Sequence, residues 1–101
     1  MAINYLSQLE GFDWDKGNSY KSILKHKVSA QESEEVFANK PLIILPDETH
    51  GQPVETRFHA FGKTLEGRLL LVSFTIRTKK IRVISARPMN AKEREFYATF
   101  K

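Results

Sequence analysis

The stretch from Arg68 to Arg94, RLLLVSFTIRTKKIRVISARPMNAKER, constrains the fold more than any other part of this 101-residue chain. Apolar residues alternate along its first part with a period of two, the pattern of strands that bury one face. Turned as a hairpin at Thr78 and Lys79, it sets Leu70, Val72, Phe74 and Ile76 against Ile81, Val83 and Ser85 on one side. That side is predicted to be core. The other side carries Leu69, Leu71 and Ile84 toward one end and Arg77, Lys80 and Arg82 toward the other, so it is expected to be partly covered and basic where open. Pro88 stops the second strand because it has no N–H for a ladder bond. Asn90 followed by Glu93 has the spacing of a capping box and opens a helix through Phe96, Tyr97 and Phe100.

Arg87 is thereby delivered to a strand end beside a helix N-terminus. Free N–H donors there and the planar fork of an arginine together suit a phosphate. An ion pair with Glu93 accounts for the same residues, and from the residues alone it is slightly the preferred reading.

Charge sharpens the question. The formal balance is +4, but residues 1–62 carry about −3 and residues 63–101 about +7. A field of that sign draws polyanions, so nucleic acid or an acidic protein is the expected partner, with a merely solvated basic face as the alternative. The length suits one domain. Without cysteine, disulfides and thiolate metal sites are excluded and a reducing compartment is expected. Neither a signal sequence nor a membrane-spanning run is present, so a soluble cytoplasmic protein without membrane attachment is expected.

Before the hairpin, residues 1–11 read as an N-terminal extension with a weak apolar pattern, Ile3, Tyr5, Leu6 and Leu9, and residues 12–101 as the domain. Phe12 and Trp14 point to one side of a short strand, and Asp15 is an N-cap for the helix that follows. Tyr20, Ile23 and Leu24 are expected to form its inward stripe, with Lys16, Lys21 and Lys25 outside and His26 at its end. A histidine there is more often a dipole partner or a hydrogen-bonded structural group than a catalyst. Ser29 and Glu32 form a second capping box, ahead of Val36 and Phe37. Leu42 to Leu45 reads as a buried strand closed by Pro46, and Thr56 to Phe61 as another, with Arg57, His59 and Phe61 on one face. Asp47, Glu48 and His50 lie in a polar loop without a supporting ligand pattern, so no metal and no cofactor are expected. The fold class is α+β: an antiparallel meander of three or four strands with the helices on one face.

The FDWD start, the KHKVS turn between two helices, the GRLL hairpin and the ISARP ending followed by KER resemble the BrnT toxins of bacterial type II toxin–antitoxin systems. The likeness runs from about Phe12 to Tyr97, and the family often has glycine where this chain has Lys27. It implies a ribonuclease of RelE-like architecture, neutralised by a BrnA-like antitoxin in a hetero-oligomer. RNA cleavage without a metal needs a base for the 2′-hydroxyl, stabilisation of the charged phosphorane and an acid for the leaving oxygen. Arg57 and Arg87, on or at the ends of predicted strands, and His26, at the helix end that the resemblance matches, are the candidate catalytic residues. Lys25, Arg68, Arg82 and Arg94 become candidates for holding RNA, with Glu93 and Tyr97 in support. Two other readings stay open: a basic module that grips nucleic acid without cutting it, and a basic face that only seats an acidic antitoxin segment. The absence of an aromatic pair of the RNP type and of a GxxG loop counts against the first of these.

Overall fold

The computed structural model describes residues 9–47 and 56–100. In chain order the elements are α1 (Lys16–Ser19), α2 (Lys21–His26), α3 (Ala30–Ala38), β1 (Ile43–Pro46), β2 (Phe58–Lys63), β3 (Leu69–Arg77), β4 (Lys80–Pro88) and α4 (Ala91–Ala98). The hairpin stands where the alternation puts it: β3 and β4 pair antiparallel with Arg77 opposite Lys80, and Thr78 and Lys79 form the turn at φ +51° and +64°. All four strands follow one another in a single antiparallel sheet, β1-β2-β3-β4, the expected meander. The expectations for Ile3, Tyr5 and Leu6, and for Glu48 and His50, lie outside the described residues. No helix among the described residues is long and apolar enough to cross a membrane.

The hairpin core lies where periodicity assigns it, with one change of phase, whereas β1, expected to be buried, is an edge strand that leaves Leu45 41% exposed. Leu70, Val72, Phe74, Ile81 and Val83 are buried together with Val28, Val36 and Ala60. A β-bulge intervenes, since Ser73 faces Ser85 while Phe74 faces Val83, which leaves Ile84 as the extra residue. Ala86 therefore enters the core, and Ser85, expected beside Val83, moves to the opposite face. Strict alternation cannot foresee an inserted residue. Arg87 now stands opposite Leu71, on that same second face.

The helices do not all lie on one face. α3 packs on the core face, where Gly62 of β2 lets it settle: a Cβ there would come within 2.8 Å of Val36 Cγ1. α4 covers part of the opposite face, burying Tyr97 and Met89 with Phe61 and Leu71, and Phe96 lies edge-on to Phe61 with ring centroids 5.2 Å apart. The reason is visible in β3, whose second face is apolar at Leu69 and Leu71 and needs cover of its own.

The N-terminal helices depart furthest from expectation. Tyr20, Ile23 and Leu24 do not point inward, being 60%, 40% and 84% exposed, whereas Asn18 and Ser22 are buried. β4 is a sheet edge, and its free backbone groups demand partners before any apolar contact can form. Residues 10–13 serve its first half, with Asp13 N–H donating to Ile81 O and Ile81 N–H to Gly11 O. Polar side chains serve its second half: Asn18 Nδ2 donates to Val83 O at 2.9 Å, and Ala86 N–H donates to Ser22 Oγ at 2.8 Å. The helical face toward the sheet is polar because the sheet there is an edge.

All three expected N-caps form. Asp15 Oδ1 accepts from Gly17 N–H, Ser29 and Glu32 close one capping box, and Asn90 and Glu93 close another. α2 ends at Lys27 with φ +57° and ψ +40°, the left-handed conformation that favours glycine. Replacing Lys27 by glycine is therefore expected to raise stability by about 0.5–1 kcal/mol, read as a higher melting temperature.

Candidate active site

β4 carries Ser85 and Arg87 to the meeting point of two surfaces. One is a cavity of about 400 Å³ between α2 and the end of β4, lined by Lys21, Ser22, Lys25, His26, Ser85 and Arg87. The Ser22 bond to the β4 edge fixes how close the helix comes, so the histidine and both lysines reach the strand end from one side. Four of the six lining residues are cationic or can become so, which makes the cavity suited to an anion.

The other surface is the second face of the sheet. Strand register sets His59, Ser73 and Ser85 in one row across β2, β3 and β4, and Phe61, Leu71 and Arg87 in the next. His59 Nδ1 lies 3.0 Å from Ser73 Oγ, and its Nε2 lies 3.3 Å from Oδ2 of the buried Asp47. With the proton on Nε2 the ring donates to Asp47, and Nδ1 accepts from the serine hydroxyl. The alternation had put His59 on this face without making it a candidate. What raises it now is a carboxylate and a hydroxyl brought from distant positions, which no spacing announces.

Both readings of Arg87 meet in its geometry. Nη1 and Nη2 each donate at 2.8 Å to Glu93, while Nη1 also donates to Pro88 O. The expected ion pair is therefore present, and the Glu93 carboxylate, also bound to Asn90 N–H, occupies the helix N-terminus. A guanidinium has five N–H donors, however, and these bonds use three. Nε–H and the second Nη2–H lie side by side on the outer edge of the fork, with no protein partner among the described residues. The guanidinium is half-buried and oriented by Glu93, ready to receive two oxygens of one phosphate.

The remaining arginines have mostly internal duties. Arg68 closes the C-terminus of α2, donating from Nη1 to Lys27 O and from Nη2 to His26 O while pairing with Glu32. It ties the backbone at His26 and Lys27 to α3 through Glu32. Arg82 ties Asp13 and Asp15 to β4, and Arg94 donates to Met89 O. Arg57 precedes β2 on the side of His59, and its buried Nε has no hydrogen-bond partner among the described residues. Tyr97 is buried and donates its hydroxyl to Pro41 O, which makes it an anchor between α4 and the chain entering β1. Among the described residues no group of three or more His, Asp or Glu side chains is arranged to hold a metal ion.

Arg87 holds the Glu93 carboxyl below its ordinary value of 4.5, first by hydrogen bonding; burial opposes this, and the Asn90 N–H and the charge of Arg87 add to it. A depressed carboxyl stabilises the fold above its unfolded pKa and loses that contribution as pH falls toward the folded one. Glu93→Gln, which keeps the capping box, is thus expected to be less stable than the parent at pH 7 by about 1 kcal/mol or less. The difference should close as pH drops below about 4, checked by urea melts across pH.

An antiparallel sheet with a cavity at one edge lined by Lys21, Lys25, His26 and Arg87 defines a small α+β protein with a cationic site. The chain belongs to the BrnT family, ribonuclease toxins of type II toxin–antitoxin systems, whose family model matches residues 14–93. No curated protein sequence matches it closely.

Proposed function

We propose that this protein is a metal-independent endoribonuclease of RelE-like architecture that cuts RNA, thereby inhibits translation, and is neutralised by a BrnA-like antitoxin. The observation that carries the reading is the double position of Ser85 and Arg87, on the wall of the cavity beside His26 and on the sheet face beside the row of His59. The free edge of Arg87 takes two oxygens of the scissile phosphate and stabilises the charge that grows on them. Lys21 and Lys25 hold neighbouring phosphates. The 2′-oxygen attacks phosphorus, the bond to the 5′-oxygen breaks, and a 2′,3′-cyclic phosphate and a 5′-hydroxyl result. His26, from the cavity, takes the 2′-proton, and the leaving oxygen takes the Ser73 hydroxyl proton as an imidazolium His59, held by Asp47 at Nε2, passes its Nδ1 proton to Ser73 Oγ. Arg57 adds positive charge on the His59 side. Arg68, Arg82 and Arg94 serve this reading by holding α2, the N-terminal segment and α4 in place.

The test is incubation of the purified chain with RNA in excess EDTA, followed by analysis of the product ends. Cleavage giving cyclic phosphates supports the reading. RNA bound but left whole would reduce the protein to a gripping module, and cleavage abolished by EDTA would remove the metal-independent mechanism. Controlled expression should arrest growth with loss of intact RNA, and the antitoxin should relieve it.

A further inference from the structure

α2 is amphipathic the wrong way round for a helix that ends its packing on its own sheet. Its buried residue is Ser22, and the residues on its outer side are Tyr20, Ile23 and Leu24, the last 84% exposed. Tyr20 and Leu24 are four residues apart and Tyr20 and Ile23 three, so they form one stripe along the helix. Scattered apolar residues on a surface need no explanation, but a contiguous stripe on one short helix marks a contact surface. Two lysines flank it, Lys21 and Lys25, and these same residues line the cavity that also holds His26 and Arg87. The stripe and the cavity therefore share a cationic border.

We infer that Tyr20, Ile23 and Leu24 form the docking site for an acidic amphipathic helix of the antitoxin, whose carboxylates engage Lys21 and Lys25 and so take the cavity's lysines from RNA. The occupant follows from the chemistry of the stripe: apolar residues at helical spacing fit the apolar face of a second helix, and the lysine border fits acidic residues flanking that face. Neutralisation then needs no contact with Arg87. Competition for the two lysines lowers the affinity for a polyanion whose phosphates need the same charges. The inference rests on the ribonuclease reading for its consequence, but not for the contact itself.

The experiment measures binding of the antitoxin protein encoded beside this chain to the parent and to Leu24→Glu, with RNA cleavage and thermal melting followed in parallel. Leu24 lies outside the cavity and is almost fully exposed, so the variant should melt and cut RNA like the parent when alone. Expected is a loss of antitoxin affinity of at least about 30-fold, with cleavage no longer suppressed. Tyr20→Ala should weaken binding in the same direction, and binding to the parent should fall as salt is raised. Antitoxin binding to Leu24→Glu that equals binding to the parent would overturn the inference. A parent that sediments as a dimer by itself, made monomeric by Leu24→Glu, would assign the stripe to a second copy of the chain and overturn it too. If the parent cuts no RNA while Leu24→Glu still loses the antitoxin, the docking site stands and only the ribonuclease reading falls.

Discussion

Arg87→Gln is expected to lower RNA cleavage by about 10²–10³-fold while leaving the fold nearly as stable as the parent. The large effect comes from the outer edge of the guanidinium. Nε–H and one Nη2–H are held ready on one side by the bidentate pair with Glu93 on the other, so the donors need not reorganise as charge builds on the phosphate. Glutamine keeps neither the charge nor the paired donors. The small effect on stability follows from exposure: the pair is partly solvated, and such pairs contribute about 1 kcal/mol or less. Arg87→Lys should recover only part of the rate, because an ammonium keeps the charge and loses the fork. Initial rates beside thermal melts separate the two effects. Full activity in an Arg87→Gln protein that melts like the parent would return Arg87 to the role of a structural ion pair.

Phe74→Ala should have the largest effect on stability, about 3–5 kcal/mol, measured by urea unfolding. The side chain is 1% exposed, and its ring stacks on Phe58 at 5.3 Å and meets Phe37 edge-on at 5.1 Å. It joins β2, β3 and α3 at once, so its removal leaves a void that no single neighbour can fill. Domains of this size hold about 5–15 kcal/mol in all, and the variant is expected to be close to unfolded at 37 °C. Phe74→Leu, which keeps most of the volume, should cost much less.

The two substitutions mark different levels of legibility. Phe74 was readable as core from alternation alone, and so was the hairpin, because a period of two needs only neighbouring residues to be seen. The three N-caps were readable for the same reason: each joins residues within one helical turn. Arg87 beside Glu93 was readable as a pair of possibilities. The atoms show the ion pair, and the phosphate reading rests on the other edge of the fork.

What the sequence by itself determined is the local grammar: the antiparallel meander, the hairpin turn, the helix starts, the concentration of positive charge in residues 63–101, and the family. Tertiary structure decided everything that depends on which groups lie next to one another across the chain. A single inserted residue at the bulge sent Ala86 inward and Ser85 outward. The open edge of β4 turned α1 and α2 so that Asn18 and Ser22 face the sheet and Tyr20 and Leu24 face solvent, against the ordinary sense of their polarity. Asp47 and Ser73 made His59 a candidate from positions far apart in the chain. Periodicity reports how apolar a face is, whereas hydrogen-bond demand belongs to particular backbone atoms, and only the assembled sheet shows which of them are left unpaired.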